Sequence, residues 1–353
     1  QLKIQYASPF GQKGFDLSVN STSLNGTFAP SATFTSIISG KFYIGTGESI
    51  ITIARGWGWY DVDYVQLIPA TVNPPIVPTA DLADAHATPS TKALYKYLVD
   101  VYGKKVISGQ HDEIDFVKNL TGREPAIGSF DLIEYSPSRR EFGSNPTGKT
   151  ERYINWATRD GGNGILTLLW HWNAPTDLIN LPPDKLWWSG FYTRATTFDI
   201  AAVLADSTSE RYRLIIRDMD SIAVQLKKTQ AADVPVLWRP LHEASGGWFW
   251  WGKKSNFKAL WNIMYDRFVN THQLDNLLWA WNPNAPNEWS DPYLPYYPGA
   301  DKVDILAADI YNNDYNQIYY DSLLELADGK PIGIGESGEL PDPELMANKQ
   351  KKW

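Results

Sequence analysis

The sequence predicts a β/α barrel that follows a small all-β domain, and two patterns support this fold class. Seven apolar, strand-like runs alternate with helical periods between residues 106 and 336. This alternation is typical of a parallel sheet whose strands are joined by helices, as in a (β/α)8 barrel. Residues 1–68 instead hold short β-prone runs that Gly, Asn and Pro interrupt at close intervals, which is typical of a β-sandwich.

Composition limits the classes of partner. The chain of 353 residues has a formal net charge of −8, which argues against a nucleic-acid partner because such a partner needs basic patches. No apolar stretch is long enough to span a bilayer, so no membrane partner is expected. The 16 Trp and 19 Tyr favour a polysaccharide ligand, because indole rings stack on the C–H faces of sugars. A large aromatic core would explain the same counts.

The all-β region is interpreted as a partial sandwich over residues 1–68, followed by a linker over 69–80 that holds four prolines. Alternating polarity from Asp61 to Leu67 predicts its last strand. Aromatic and acidic side chains beside this strand are candidates for glycan binding, with packing in a core as the alternative. These candidates are Trp57, Trp59, Tyr60 and Asp61. The other β-prone runs are 18–20, 33–35, 41–44 and 49–54.

Residues 81–353 are predicted to form the barrel domain. A first helix is expected over 89–102, because its apolar residues share one face and Gly103 follows as a stop signal. Later helical periods are clearest over 211–228 and 257–269. The candidate strands are 106–111, 126–132, 164–172, 234–243, 277–282, 303–311 and 332–336.

Only seven barrel strands are predicted, where a closed barrel needs eight. The 93 residues from Glu243 to Glu336 hold three β/α units, about 31 residues each, which is the rate of an eight-unit barrel. We therefore expect the eighth strand beyond Trp353 and a sequence that is cut short at both ends. A seven-stranded variant is the alternative, although it would leave two edges unpaired.

Polar and aromatic side chains follow six of the predicted strands at their carboxyl ends. In a β/α barrel those ends share one face, where active sites are built. Any single residue of this kind is more simply a satisfied core group, and for Glu243 the alternative is a cap on the next helix, with the aromatic residues after it in the core. Six strands with the same pattern predict an active site instead. The residues include Asp112, His171, Glu243, Asn282, Asp309 and Glu336.

Glu243 and Glu336 are the natural pair for glycoside cleavage, which needs two carboxyl groups on either side of the scissile bond. They end the fourth and seventh strands, which lie nearly opposite each other in an eight-stranded ring. A separation of about 5 Å would predict retention of configuration at the anomeric carbon. Glu339 is the alternative to Glu336, but it follows a glycine turn and belongs to a loop.

Two parts of the sequence resemble known families. Residues 105–353 resemble the family 26 glycoside hydrolases, most of whose members are endo-β-1,4-mannanases, and the most specific motif runs from Trp238 to Glu243. Residues 17–20 and 56–67 resemble the second half of a family 35 carbohydrate-binding module, a β-sandwich. The other motifs of the first resemblance are Ile107 to Asp112, Gly247 to Trp251, Asp309 to Tyr311 and Gly335 to Gly338.

The first resemblance implies that Glu243 is the general acid/base and Glu336 the nucleophile. It implies that His242 orients Glu243 or the sugar, and that Arg239 and Asp309 support the nucleophile. A tryptophan from an eighth strand, outside this chain, would complete the site. The remaining residues expected to contact substrate are His171, Trp172, Trp248, Phe249 and Tyr311.

The predicted function is retaining, endo-acting hydrolysis of β-1,4-mannosidic bonds in mannan, glucomannan or galactomannan. A β-glucanase or xylanase of the same family, or a polysaccharide-binding protein without catalysis, are the alternatives. The five His lack metal-ligand spacing, so we expect no metal and no cofactor. A polysaccharide substrate and three Asn-X-Ser/Thr tripeptides favour a secreted, extracellular protein. The protein is expected to be a monomer with β-mannan as its partner.

Overall fold

The computed structural model describes residues 1–19, 22–23, 25–42, 44, 47–70, 78, 81–162, 164–312 and 314–342. These residues fold into two compact units. The first takes in described residues of 1–75, 311–324 and 338–352, and the second takes in those of 76–310 and 325–337. Most of the predicted linker, 69–80, lies outside the described residues, so its boundaries stay a prediction.

The amino-terminal part of the first unit is a β-sandwich of two antiparallel sheets, as the sequence predicts. In one sheet, β1 pairs with two neighbours, and in the other, β2 pairs with three. Alternate residues of β1 and β2 point inward because side chains alternate across a strand. The core consists of Leu2, Ile4, Tyr6, Phe15, Leu17, Val19 and Phe28. The strands are β1 (Leu2–Ser8), β2 (Lys13–Val19), β3 (Thr22–Ser23), β4 (Gly26–Phe28), β5 (Ser31–Ile38), β6 (Ile51–Trp57) and β7 (Asp61–Leu67).

Two details of this sandwich differ from the sequence prediction. The predicted run 41–44 is not a strand at Lys41, Phe42 or Ile44, although Phe42 and Ile44 still pack against the core. The strand β1 was missed, although Leu2, Ile4 and Tyr6 alternate with polar residues as a half-buried strand requires. The predicted strand over Asp61–Leu67 is present, but all of its residues are exposed.

The second unit is built on a seven-stranded parallel sheet whose strands are neighbours in chain order. It forms a curled, TIM-like half-barrel, and β8 and β14 lie at its two ends among the described residues. Each strand falls within or adjoins its predicted window. The strands are β8 (Gly109–His111), β9 (Ile127–Asp131), β10 (Ile165–Leu169), β11 (Val236–Arg239), β12 (Leu277–Trp281), β13 (Ile305–Ile310) and β14 (Ile332–Ser337).

Helices lie between these strands and begin at recognisable caps. The Thr88 side chain accepts a hydrogen bond from the Thr91 N–H at the start of α1, and Ser209 accepts one from the Tyr212 N–H at the start of α6. In α6, Ile215, Met219 and later residues at helical spacing are buried. The helices are α1 (Pro89–Val101), α2 (Ile114–Thr121), α3 (Pro137–Glu141), α4 (Lys149–Gly162, non-helical at 159–161), α5 (Ile200–Leu204), α6 (Glu210–Ala231), α7 (Phe257–Asp266) and α8 (Gln317–Ala327).

Tryptophan fills much of the second unit's core. Eight of the 16 Trp are less than 2% exposed. The high aromatic count therefore reflects packing at least as much as sugar binding, which was the alternative that composition left open. In the described part of the chain, no helix combines the length and apolar character needed to cross a membrane. The eight are Trp170, Trp172, Trp238, Trp250, Trp251, Trp261, Trp279 and Trp281.

Candidate active site

The chain turns sharply after β11, and this turn positions Glu243. Leu241 and Glu243 have φ of +50° and +55°, a left-handed conformation that non-glycine residues rarely adopt. Hydrogen bonds hold the turn on both sides: the Glu243 N–H donates to the carbonyl of Asn282 at 2.7 Å, and the Gly246 N–H donates to the carbonyl of Glu243 at 2.9 Å. Such unusual backbone persists only when its surroundings over-determine it, and it is concentrated at functional sites.

Three carboxyl groups meet at the carboxyl ends of the strands. One oxygen from each of Glu243, Asp309 and Glu336 lies within 4.8 Å of the others. The register shift between β13 and β14 places Asp309 directly beside Glu336. One oxygen of Glu243 and one of Glu336 are therefore no more than 4.8 Å apart, which fits retaining glycosidases, with carboxyl groups about 5–5.5 Å apart, better than inverting ones, with a gap of about 6.5–9.5 Å.

The buried guanidinium of Arg239 holds two of these carboxyl groups. Arg239 is the last residue of β11 and donates to the carboxylate of Glu336 and, at 2.9 Å, to the side-chain oxygen of Asn282. Its Nη1 lies 3.5 Å from Asp309. Burial alone would lower the pKa of Arg239, but the charges of Glu336 and Asp309 outweigh burial and raise it. We call Arg239, Glu243, Asp309 and Glu336 the strand-end cluster.

Glu243 and Glu336 have different electrostatic surroundings. Burial, followed by the charge of Glu336, raises the pKa of Glu243 to about 7. The Trp248 indole opposes this shift, since its N–H donates to Glu243 at 2.6 Å and so favours the charged form. Glu336 has a guanidinium as its direct partner. The arrangement therefore suits Glu243 to hold a proton and Glu336 to remain a carboxylate.

Asp309 is fully buried, and burial followed by the charge of Glu336 raises its pKa well above its ordinary value. Gly335 is required beside it. A Cβ at Gly335 would lie 1.8 Å from the side-chain oxygen of Asn282 and 2.7 Å from Asp309, so any side chain there would displace a partner of Arg239.

Two histidines line the neighbouring part of the site. The rings of His171 and His242 meet edge to face with centroids 4.6 Å apart, and Phe249 lies against both. His171 Nδ1 lies 2.7 Å from the carboxylate of Asp131 at the end of β9, which fixes the ring orientation. Burial, followed by the nearby His171, lowers the pKa of His242 well below its ordinary value, so this ring stays neutral.

The three carboxylates of the strand-end cluster are also the kind of group that binds divalent cations. The positively charged Arg239 already lies against two of them, which disfavours a second cation in the same place. The sequence prediction of no metal and no cofactor therefore remains a prediction with a physical argument in its favour.

The structure corrects one predicted contact and leaves another untested. Trp172 is fully buried, stacks on Trp170 at 4.3 Å and donates its N–H to Asp218 at 2.9 Å, so it offers no face to a sugar. It was assigned to the site because it follows His171, but adjacent residues of an extended chain point in opposite directions. Tyr311 follows β13, is 41% exposed and belongs to the other compact unit, so its role stays a prediction.

The sequence did not assign a role to three supporting residues, although Asn282 and Gly335 fall in its strand-end pattern and motifs. Asn282 accepts a hydrogen bond from Arg239, Gly335 leaves room for Asn282, and Asp131 orients His171. Asp131 ends the second strand, so the rule that polar residues follow barrel strands would have identified it. No sequence signal distinguishes Gly335, because the close approach that demands glycine arises from residues of other strands.

The candidate glycan-binding residues of the sandwich fall into two groups. Trp57 and Trp59 are 54% and 75% exposed, and the cationic groups of Lys13 and Arg55 lie over their rings at 5.7 Å and 4.4 Å. Asp61 is also exposed. The Tyr60 ring packs against Phe28 at 4.7 Å and its hydroxyl donates to the carbonyl of Ala54, so its assignment to glycan binding stays a prediction.

A half-barrel of parallel strands that brings together one carboxyl group of raised pKa and one ion-paired carboxyl group defines a glycoside hydrolase. Residues 83–353 match the model of glycosyl hydrolase family 26, and the chain belongs to that family. Residues 1–70 match the model of carbohydrate binding module family 35. Both sequence resemblances are thereby confirmed.

The chain is similar to characterised proteins over its whole length. It is 42% identical to a mannan endo-1,4-beta-mannosidase of Thermothelomyces thermophilus, of which it covers 72%. It is 34% identical to mannan endo-1,4-beta-mannosidase B of a Piromyces species, of which it covers 62%. The crystal structure of the Podospora anserina GH26-CBM35 β-(1,4)-mannanase superposes with a TM-score of 0.73 at 42% identity, with coverage of 100% of this chain and 78% of that one.

Proposed function

We propose that this chain hydrolyses β-1,4-mannosidic bonds within mannan, glucomannan or galactomannan, with retention of configuration. The observation that carries the proposal is the short gap between Glu243 and Glu336 together with their opposite electrostatic surroundings. Family membership and the names of the relatives support mannan as the substrate.

In the first step, the carboxylate of Glu336 attacks the anomeric carbon while Glu243 donates its proton to the glycosidic oxygen. The bond to the departing sugar breaks, and a covalent glycosyl ester forms on Glu336. Arg239 holds the Glu336 carboxylate in one orientation for the attack. The raised pKa of Glu243 keeps the required proton in place near neutral pH.

In the second step, Glu243 acts as the base. Esterification removes the negative charge of Glu336, which is one cause of the raised pKa of Glu243, so Glu243 becomes a stronger acid and stays deprotonated after the first step. Glu243 then takes a proton from water, and the resulting hydroxide attacks the same carbon and releases Glu336. The two inversions give net retention.

The sugar on the glycone side of the bond would contact the partly exposed His171, while the buried His242 and Phe249 pack against the His171 ring. Because His242 is neutral, it supports this ring without adding a charge beside Glu243. Trp248 would border the same bond through its hydrogen bond to Glu243.

The family 35 module would bind β-mannan through Trp57 and Trp59, which are exposed, and Asp61 beside them. A polysaccharide is too large to enter a cell, so the proposed substrate places the protein outside it, as a secreted monomer. Binding through exposed indoles without catalysis is the expected role of this part of the chain.

A substrate panel tests the proposal. Reducing ends released from mannan, glucomannan, mixed-linkage glucan and xylan are compared, and the first product is examined by NMR for its anomeric form. The expected result is release from the mannans alone, with the β-anomer formed first. Release from glucan or xylan would identify the alternative glycanase activity, and binding without any release would contradict catalysis.

A further inference from the structure

Trp289 is a large apolar side chain that the proposed mechanism does not use. It is 69% exposed, while the residues on either side of its loop are buried, including Asn284, Ala285 and Ser290. Turn positions usually carry Gly, Pro, Asn, Asp or Ser, because those residues suit the backbone and water. An indole at such a position offers a flat apolar face of the kind on which sugar rings stack.

The loop that carries Trp289 is held rigidly. Asn287 and Ser290 exchange two backbone hydrogen bonds of 3.3 Å, which closes a tight turn with Glu288 and Trp289 at its tip. The backbone N–H of Trp289 also donates to the side-chain oxygen of Asn287 at 2.8 Å. The hydroxyl of Ser290 accepts a hydrogen bond from Asn284 at 2.8 Å. Trp289 is therefore presented on a fixed support.

The same loop is attached to two of the elements that carry the strand-end cluster. Ser290 pairs with Gly246, three residues after Glu243, and the Asp291 N–H donates to the carbonyl of Ser245 at 3.0 Å. At the other end of the loop, the Ala285 N–H donates to the carbonyl of Asp309 at 2.9 Å. Backbone hydrogen bonds thus connect the loop that carries Trp289 directly to the strand-end cluster.

Two tryptophans flank the Gly246–Ser290 pair. The ring of Trp248 lies directly over Gly246, since a Cβ there would be 2.2 Å from the ring. Trp289 directly precedes Ser290, and the Cα atoms of the two residues are about 3.8 Å apart. Glu243 must protonate the oxygen that links to the departing sugar, so the turn after Glu243 and the loop paired with it border that sugar.

We propose that Trp289 forms a binding platform for the sugar residues on the departing side of the cleaved bond. This inference rests on the proposed glycoside hydrolase function and identifies the ligand as the continuing β-1,4-linked hexose chain. The indole would stack on a ring beyond the sugar that borders Trp248 and so bind the substrate without taking part in the chemistry.

The test compares a substrate that places sugars on the departing side with one that does not. Mannohexaose places sugars there, whereas an aryl β-mannobioside places a single phenol there. For Trp289→Ala we expect kcat/KM on mannohexaose to fall about tenfold, mainly through KM, while kcat/KM on the aryl substrate changes less than about twofold. Trp289→Phe keeps an aromatic ring and should recover part of the loss.

Phe116→Ala is the matched control, because Phe116 is 62% exposed on α2 and is not part of this loop. It should match the wild type on both substrates. The proposed role of Trp289 would be wrong if Trp289→Ala lowered kcat/KM equally on both substrates, or did not lower it on mannohexaose. A wild-type protein inactive on both substrates would instead overturn the proposed function.

Discussion

The strand-end cluster and the exposed tryptophans of the sandwich both carry side chains suited to carbohydrate, yet they are built in opposite ways. Arg239 and Asp309 are buried and each lies against an opposite charge. Trp57 and Trp59 are exposed, and their partners are surface cations over their rings. The groups of the strand-end cluster interact with one another, whereas each exposed indole of the sandwich has one surface cation as its partner.

This difference follows from the cost of burying charge. A buried ion that loses its partner is strongly destabilising, so the strand-end cluster tolerates almost no change. An exposed indole with a cation over it contributes only about 0.5–1 kcal/mol. We therefore expect changes in the first region to alter catalysis by orders of magnitude and changes in the second to alter binding by small factors.

Removal of the proposed nucleophile should have the largest effect. Glu336→Ala deletes the group that forms the glycosyl ester, so turnover of soluble mannan should fall more than about ten-thousand-fold. The variant should no longer be labelled by a fluorinated mannosyl donor, as measured by mass spectrometry. Labelling that persists at another carboxylate, such as Glu339, would move the nucleophile there. Circular dichroism controls for folding, because Arg239 loses a partner.

Removal of the proposed acid/base should have the next largest effect. Glu243→Ala should lower turnover of mannan about a hundred- to ten-thousand-fold, which is the usual contribution of a general acid. An aryl mannoside with an acidic phenol needs little protonation, so formation of its glycosyl ester should be much less impaired. Added azide should restore turnover of that substrate and give a β-mannosyl azide. Near-normal hydrolysis of mannan by this variant would contradict the assignment.

The pH profile should depend on Trp248. Activity requires protonated Glu243, whose pKa is about 7, so kcat/KM should fall as the pH rises above about 7. The Trp248 N–H stabilises the charged form, so Trp248→Phe should raise the pKa of Glu243 further and move this alkaline limb to higher pH. Trp59→Phe serves as the control with an unchanged profile. A shift to lower pH would refute this account of the hydrogen bond.

The smallest effect is expected in the sandwich. The double change Trp57→Ala and Trp59→Ala should weaken binding to insoluble mannan by a few fold, measured by depletion from solution, because exposed aromatic contacts contribute modestly. Hydrolysis of mannohexaose should stay at the wild-type rate. Tyr60→Phe is a matched control, since its ring packs inward on Phe28. If the double variant lost most of its mannohexaose hydrolysis, the exposed tryptophans would affect catalysis, which contradicts the expected difference between the two regions.

Much of the barrel was predictable because its strands are continuous apolar runs. The five residues of β12 are all buried, and their sequence shows this directly. Helix α6 was predicted from its 3.6-residue period and begins at a serine cap. The boundaries were less exact, since the predicted strand over 234–243 ends at Arg239, where the left-handed turn begins. Strand β1 was missed although its alternation was visible.

The sequence by itself identified the two glutamates as the candidate catalytic pair, because each ends a predicted strand and the carboxyl ends of parallel strands meet on one face. Only the tertiary structure decided what surrounds them. Glu336 meets Arg239 across 97 residues, and the pKa of Glu243 depends on burial and on the charge of Glu336. Likewise, Trp172 is buried beside Asp218 while Trp248 reaches Glu243. Burial and electrostatic interaction depend on distance in space, and a linear pattern of residue types does not contain that distance.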